Sequence, residues 1–175
     1  MKKTGLFVAV VVGLSISLFG QNEYLVEIDK TKTYEVIASE ITELSLVDFI
    51  NYERATVRGG ECISISLGKP QEIKMKSFIF SSEIHSEEIL EEMEAANCRP
   101  ATFPELLTLI KNHPELCIEG QTLVAIDPVW SKDVSGWGVP GVIRQGDSVW
   151  LMLIAYSENF GGEQYKIFGV EEEKK

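Results

Sequence analysis

Histidine is almost missing from this chain. His85 and His113 are the only two among 175 residues, so catalysis by a histidine base set on a nucleophile has little to draw on. His113 precedes Pro114 at a helix end, where a cation suits the helix dipole. His85 lies just before another helix and is expected at the surface. Cysteine is scarce as well. Cys62, Cys98 and Cys117 show no Cys-x-x-Cys spacing and no zinc-type set. An oxidising compartment would permit one disulfide, and Cys98 and Cys117 flank the same helix; the expected role of all three is that of small buried residues. No Gly-x-Ser-x-Gly, His-Glu-x-x-His, P-loop or dinucleotide fingerprint occurs, so no catalytic set, metal or cofactor is expected. There is no internal repeat and no low-complexity tract. Cations are outnumbered, 16 Lys and Arg against 27 Asp and Glu, for a net charge of −11. That balance argues against a nucleic-acid partner, which needs clustered cations, and against anionic membrane surfaces.

What is present begins with a leader. Met1-Lys2-Lys3 is followed by uncharged Thr4 to Asn22, and Gly5 to Gly20 is almost wholly apolar or small. A basic start before such a run reads as a secretory signal peptide over 1–20, with cleavage after Ser17 or Gly20. An uncleaved anchor formed by residues 4–22 is the alternative, although the run falls a little short of the roughly 20 apolar residues of a spanning helix. No lipobox cysteine stands near the start. The expected address is secreted or cell envelope.

The best-punctuated stretch runs from Ser86 to Trp130. Ser86 is a candidate N-cap, Glu87 and Glu88 suit the positive end of a helix dipole, and Ile89, Leu90 and Met93 recur at helical spacing. Asn97 tolerates the left-handed conformation that ends a helix, and Cys98-Arg99-Pro100 cannot easily extend it. Thr102 and Glu105 have capping-box spacing, with Pro104 in the first turn. Leu106, Leu107, Leu109 and Ile110 make the buried face of this second helix, which Pro114 ends. Thr122 to Ile126 reads as a short buried strand.

On these residues the chain resembles a family of uncharacterised bacterial proteins from metagenomic and candidate-phyla genomes. The family pattern runs S-E-E-x-L, then R-P-A-T-x-x-E-L-L, a Pro-Glu-Leu turn and a V-A-x-x-x-V-W strand. Ser86 to Leu90, Arg99 to Thr102, Glu105 to Leu107, Pro114 to Leu116, Leu123 to Ile126, Val129 and Trp130 carry the match. Val139-Pro140 and Tyr165 to Val170 extend it to about residue 170. Asn97 replaces the family's Gly, Asp127-Pro128 its Gly-Ser, and the tail is acidic where the family ends in Arg-Lys. The resemblance implies architecture. The order of helix, strand, aromatic loops and closing strand is also similar to C-type-lectin-like folds, without their E-P-N and W-N-D calcium signatures or their paired cysteines.

Elsewhere, Tyr24 to Ile28, Cys62 to Leu67 and Glu72 to Phe80 read as strands, and Ser39 to Tyr52 as a helix. Thr33 to Ile37 reads as strand or as the approach to that helix. Gly141 to Arg144 and Val149 to Ala155 form strands about the turn Gln145-Gly146-Asp147. The expected class is α+β: a small α+β unit over 21–81, then a module of two helices and antiparallel strands over 82–170, and an acidic solvated tail over 171–175.

Aromatic residues gather in the last third. Trp130 and Trp150 adjoin strands and are expected in the core. Trp137, Tyr156 and Phe160, in glycine-rich or polar loops, are the candidates for exposed aromatics, which serve sugar stacking or protein hot spots. Asp133, Arg144 and Asn159 are the polar partners expected beside them. The expected function is non-enzymatic binding of a protein or glycan through loops 131–138 and 155–163. The alternatives are a hydrolase using an Asp/Glu pair, with no pair singled out by sequence, and a structural envelope protein.

Overall fold

The computed structural model describes residues 18–19, 22–29, 31–32, 34–41, 44–45, 56–57, 70–126, 130–131, 137–155 and 159–172. In chain order the strands are β1 (Leu18–Phe19), β2 (Glu23–Ile28), β3 (Leu44–Ser45), β4 (Thr56–Val57), β5 (Gln71–Phe80), β6 (Cys98–Pro100), β7 (Thr122–Val124), β8 (Trp130–Ser131), β9 (Trp137–Gln145), β10 (Ser148–Ala155) and β11 (Tyr165–Glu171). The helices are α1 (Tyr34–Ser39), α2 (Ser86–Ala95) and α3 (Phe103–Asn112). The class is α+β with a mixed sheet.

The sheet is ordered β1-β5-β11-β7-β9-β10-β3. β2 shares the outer edge of β5 with β1, and β6 shares an edge of β11 with β7. Most pairings are antiparallel; β7 with β11 and β3 with β10 are parallel. β9 and β10 form the expected hairpin, Gln145 opposite Ser148, with Gly146 at φ 59° in its two-residue loop.

Side chains alternate across the strands. One face carries Val26, Ile28, Ile73, Met75, Leu123, Val142, Leu151, Phe168 and Val170, under α3. The other carries Phe78, Phe80, Val124, Val139, Ile154 and Ile167, with Ile89 and Met93 of α2 and Phe160 against them. Each large side chain taken fully from water contributes roughly 1.5–3 kcal/mol, so two such layers are what the fold rests on. Lys166 is buried on the α3 face, and that burial pushes its pKa down.

α3 is buried from Phe103 to Ile110. Its two polar members are satisfied: Thr108 Oγ1 donates to the Pro104 carbonyl (2.8 Å), and Glu105 closes the expected capping box by accepting from the Thr102 N–H (2.8 Å). α1 is tied to α3 through Glu40, which accepts from both Lys32 and Lys111. Among the described residues no helix is long and apolar enough to cross a membrane.

Several expectations need correction. The sheet crosses the expected boundary at 81/82: β2 and β5 pair with each other and β5 with β11, and Val26 and Met75 share a core with Leu106 and Leu123. The stretches 21–81 and 82–170 therefore build one sheet. The helix expected over Ser39 to Tyr52 is displaced: α1 ends at Ser39, and Leu44–Ser45 is a strand beside Val149–Trp150. Residues 46–52, and the strand expected over Cys62 to Leu67, lie outside the described residues. The N-cap of α2 is His85, one residue before Ser86, because extended His85 donates its N–H to Glu88 Oε2 (3.0 Å). Glu171 is no tail residue. It ends β11 and pairs with two lysines, and Glu172 N–H donates to the Asn97 carbonyl (3.0 Å). Cys98 and Cys117 are both buried, as the reading of small buried residues anticipated.

Candidate functional site

β5 changes character along one face. Lys74 and Lys76 point the same way as Phe78 and Phe80, since they differ by even numbers of residues. α2 covers the phenylalanine end through Ile89 and Met93. It does not cover the lysine end. There the sheet face formed by β2, β5 and β11 is left as an open trough of about 950 Å³. Leu25, Lys74, Asn97, Arg99, Glu171 and Glu172 are among its lining residues.

Along the same sheet face runs a ladder of alternating charge, of which Lys74 and Glu171 line the trough. Lys76 Nζ donates to Glu171 Oε1 (2.8 Å), and Lys74 Nζ lies 3.3 Å from Glu171 Oε2 and 2.8 Å from Glu23 Oε2. Lys76 also faces Glu23 at 3.9 Å. The hydrogen bond from Lys76, then that from Lys74, holds the Glu171 carboxyl below its ordinary 4.5. Both lysines are raised above 10.5, Lys76 chiefly by Glu171 and Lys74 chiefly by Glu23. Beneath them Cys98 is buried, and burial raises its thiol. At the rim, Arg99 makes a two-pronged contact with Glu105 (2.6 and 2.9 Å), and Asn97, at φ 56°, donates its side-chain amide to the Glu172 carbonyl (2.6 Å).

The sign of the pH effect follows. A depressed carboxyl stabilises the fold fully above its unfolded pKa and loses that contribution as pH falls through the folded one. Raised lysines contribute fully below 10.5 and lose it as pH rises through their folded values. The denaturation midpoint is therefore expected to fall as pH drops below 4.5 and to do so less steeply in Glu171→Gln. Equal slopes in urea titrations at stepped pH would contradict the ladder.

The residues expected to form a site are not brought together. Phe160 is a correction. It is 0 % exposed, packs edge-on against Tyr165 at 5.2 Å, and belongs to the core beneath α2. The cause is a backbone clamp. Ile84 and Phe160 exchange both N–H···O bonds (2.8 and 2.9 Å), and Gly162 N–H donates to the Phe80 carbonyl (2.8 Å). At Gly161 a Cβ would come within 2.5 Å of the Ser82 carbonyl oxygen, so only glycine lets the chain cross there and turn Phe160 inward. Asn159 is exposed on this clamp and donates to Glu83 Oε2 (3.2 Å). Arg144 is half-buried and donates from Nε to the Cys117 carbonyl (2.8 Å). It lies seven residues along β9 from Trp137, about 23 Å at strand rise. Trp137 is a strand residue opposite Ser131, next to the Gly138–Ala155 pair. Asp133 and Tyr156 lie outside the described residues. Trp150, expected in the core, is half-buried.

The sequence reading missed Lys74, Lys76, Glu23 and Glu171. Their signal was the alternation of lysine and apolar residues through Lys74, Lys76 and Phe78, which puts cations and phenylalanines on one face. Among the described residues no group of three or more His, Cys, Asp or Glu could hold a metal ion. No family model, no curated protein and no solved structure matches the chain.

Proposed function

We propose that this chain is an exported, non-enzymatic binding module whose ligand is a protein or a glycan. The observation that supports it best is the trough on β2, β5 and β11. Its volume suits a ligand segment, and its lining offers groups of both signs, Lys74 and Arg99 with Glu171 and Glu172, beside the exposed Leu25. Such a surface favours polar, hydrogen-bonding partners over apolar ones. The competing surface is the end of the sheet at Trp137, where β8, β9 and β10 meet, favoured by its share of the aromatic residues.

Membership of the bacterial family with the R-P-A-T-x-x-E-L-L pattern belongs to the same proposal, as does the likeness to C-type-lectin-like folds. Export rests on the basic start and apolar run of residues 1–20. Cleavage after Ser17 would leave the pairing of Leu18–Phe19 with Ile79–Phe80 intact, and cleavage after Gly20 would remove it.

The test is a glycan-array and peptide-array screen of the purified protein, with and without calcium, alongside Lys74→Glu. The expected result is a specific ligand whose binding falls about tenfold in Lys74→Glu, the effect of one charge-assisted contact reversed. Calcium dependence would support the lectin-like reading. Binding untouched by Lys74→Glu would remove the trough from the account. Turnover of an array substrate that a single Asp or Glu change abolishes would favour a hydrolase.

A further inference from the structure

β2 lies at the outer edge of the sheet, and its ladder has a definite phase. Ser77 N–H donates to the Asn22 carbonyl at 3.0 Å, which makes Asn22 and Ser77 a hydrogen-bonded pair. In an antiparallel ladder such pairs alternate with pairs whose backbone groups point away. With Tyr24 opposite Met75, Val26 opposite Ile73 and Ile28 opposite Gln71, these three residues spend their amides on β5. Glu23, Leu25 and Glu27 therefore turn their N–H and C=O groups outward. Among the described residues no strand pairs with that edge. Leu25 is 63 % exposed, and Glu23 and Glu27 flank it on the same face.

We propose that the outer edge of β2 is a docking strand for an extended, amphipathic polypeptide segment that carries lysines. This goes beyond the trough reading and stands without it. The chemistry follows from the two faces of β2. A strand added beside Tyr24, Val26 and Ile28 meets the margin of the buried core and needs apolar residues there. On the opposite face it meets Leu25 and Glu27, which fit an apolar residue and a cation, with Glu72 opposite Glu27 adding a second negative charge; Glu23, shared with Lys74 and Lys76, is the weaker second position for a cation. The net charge of −11 draws such a segment in. A second copy of this chain fits poorly. An antiparallel β2–β2 pair centred on Leu25 sets Glu23 of each copy opposite Glu27 of the other, two like-charge pairs between two acidic molecules.

The probe is a capped peptide of sequence valine–lysine–valine–leucine–valine–lysine–valine, compared with the same peptide bearing glutamate for lysine. Binding to the full chain is read by fluorescence anisotropy at low salt. The lysine peptide is expected to bind about tenfold or more tighter than the glutamate peptide. Leu25→Pro removes one outward N–H and none of the β2–β5 bonds, so it is expected to abolish binding while the thermal transition stays in place. Glu27→Lys keeps the edge and reverses its charge, so it is expected to shift preference toward the glutamate peptide even if Leu25→Pro unfolds. The proposal is overturned if the two peptides bind equally, if neither binds at millimolar concentration, or if Glu27→Lys leaves the preference unchanged. Asn97→Gly separates this proposal from the trough, because it removes a trough side chain that touches neither Glu23 nor Glu27 and leaves a left-handed position that glycine accepts. Loss of an array ligand there with the peptide still bound supports the β2 edge as a site of its own, and loss of the peptide with the array ligand still bound overturns the assignment to the β2 edge.

Discussion

Phe160→Ala is expected to lower stability by about 3–5 kcal/mol, the range for truncating a buried phenylalanine. The ring is wholly buried among Phe78, Phe80, Ile84, Ile89 and Met93, and the Ile84 backbone bonds hold its position from both sides. The surrounding side chains belong to three separate segments pinned by those bonds, so collapse into the vacated space is limited. For a chain of this length each kcal/mol shifts the melting temperature by about 2–4 °C, so a drop of roughly 10 °C is expected by calorimetry. A change under about 1 kcal/mol, the size expected of a surface substitution, would return Phe160 to the exposed loop that the sequence suggested. The variant also bears on function. Any loss of ligand binding in Phe160→Ala must be read first as loss of the core, which makes it unsuitable as a test of the aromatic surface.

Glu105→Ala is expected to cost about 2–3 kcal/mol, the sum of a lost helix cap and a lost charge-assisted contact. Glu105 is nearly buried and serves two partners at once. It accepts from the Thr102 N–H at the start of α3 and holds Arg99 with both carboxylate oxygens. Arg99 is 38 % exposed along its side chain, so water screens part of the ion pair and the capping bond weighs more. Glu105→Gln should therefore recover much of the loss, leaving a cost of about 1 kcal/mol, because the amide oxygen can still accept from Thr102. Urea denaturation of the two variants separates the contributions. Equal costs for Ala and Gln would assign the effect to the charge instead of the cap.

Local structure was legible wherever local chemistry decides it. The capping box at Thr102 and Glu105, the left-handed Asn97, the turn at Gly146 and the alternation through β2, β5 and β10 all depend on residues within a few positions of one another. What the sequence did not disclose depends on distant partners. Glu171 reads as the start of an acidic tail until β11 is placed beside β5 and Lys74 and Lys76 come within reach of its carboxylate. Phe160 reads as a loop aromatic because the residues that bury it lie some 70–80 positions earlier, on β5 and α2; the neighbouring Gly161 and Gly162 were the local sign of a close crossing. Leu44–Ser45 resembles part of a helix because a run of mixed apolar residues does not specify its period, and only the edge of β10 decides for strand. The same limit applies to function. The binding face proposed on β2, β5 and β11 draws on residues 23 to 172 and has no contiguous motif.

The measurement that bears most directly on the account is amide hydrogen exchange of the purified protein with and without its tightest array ligand. The account predicts protection gained at residues 23–27, 72–76 and 171–172. Protection confined to residues 130–138 and 155–158, with the trough strands unchanged, would contradict it and move recognition to the aromatic end of β9 and β10.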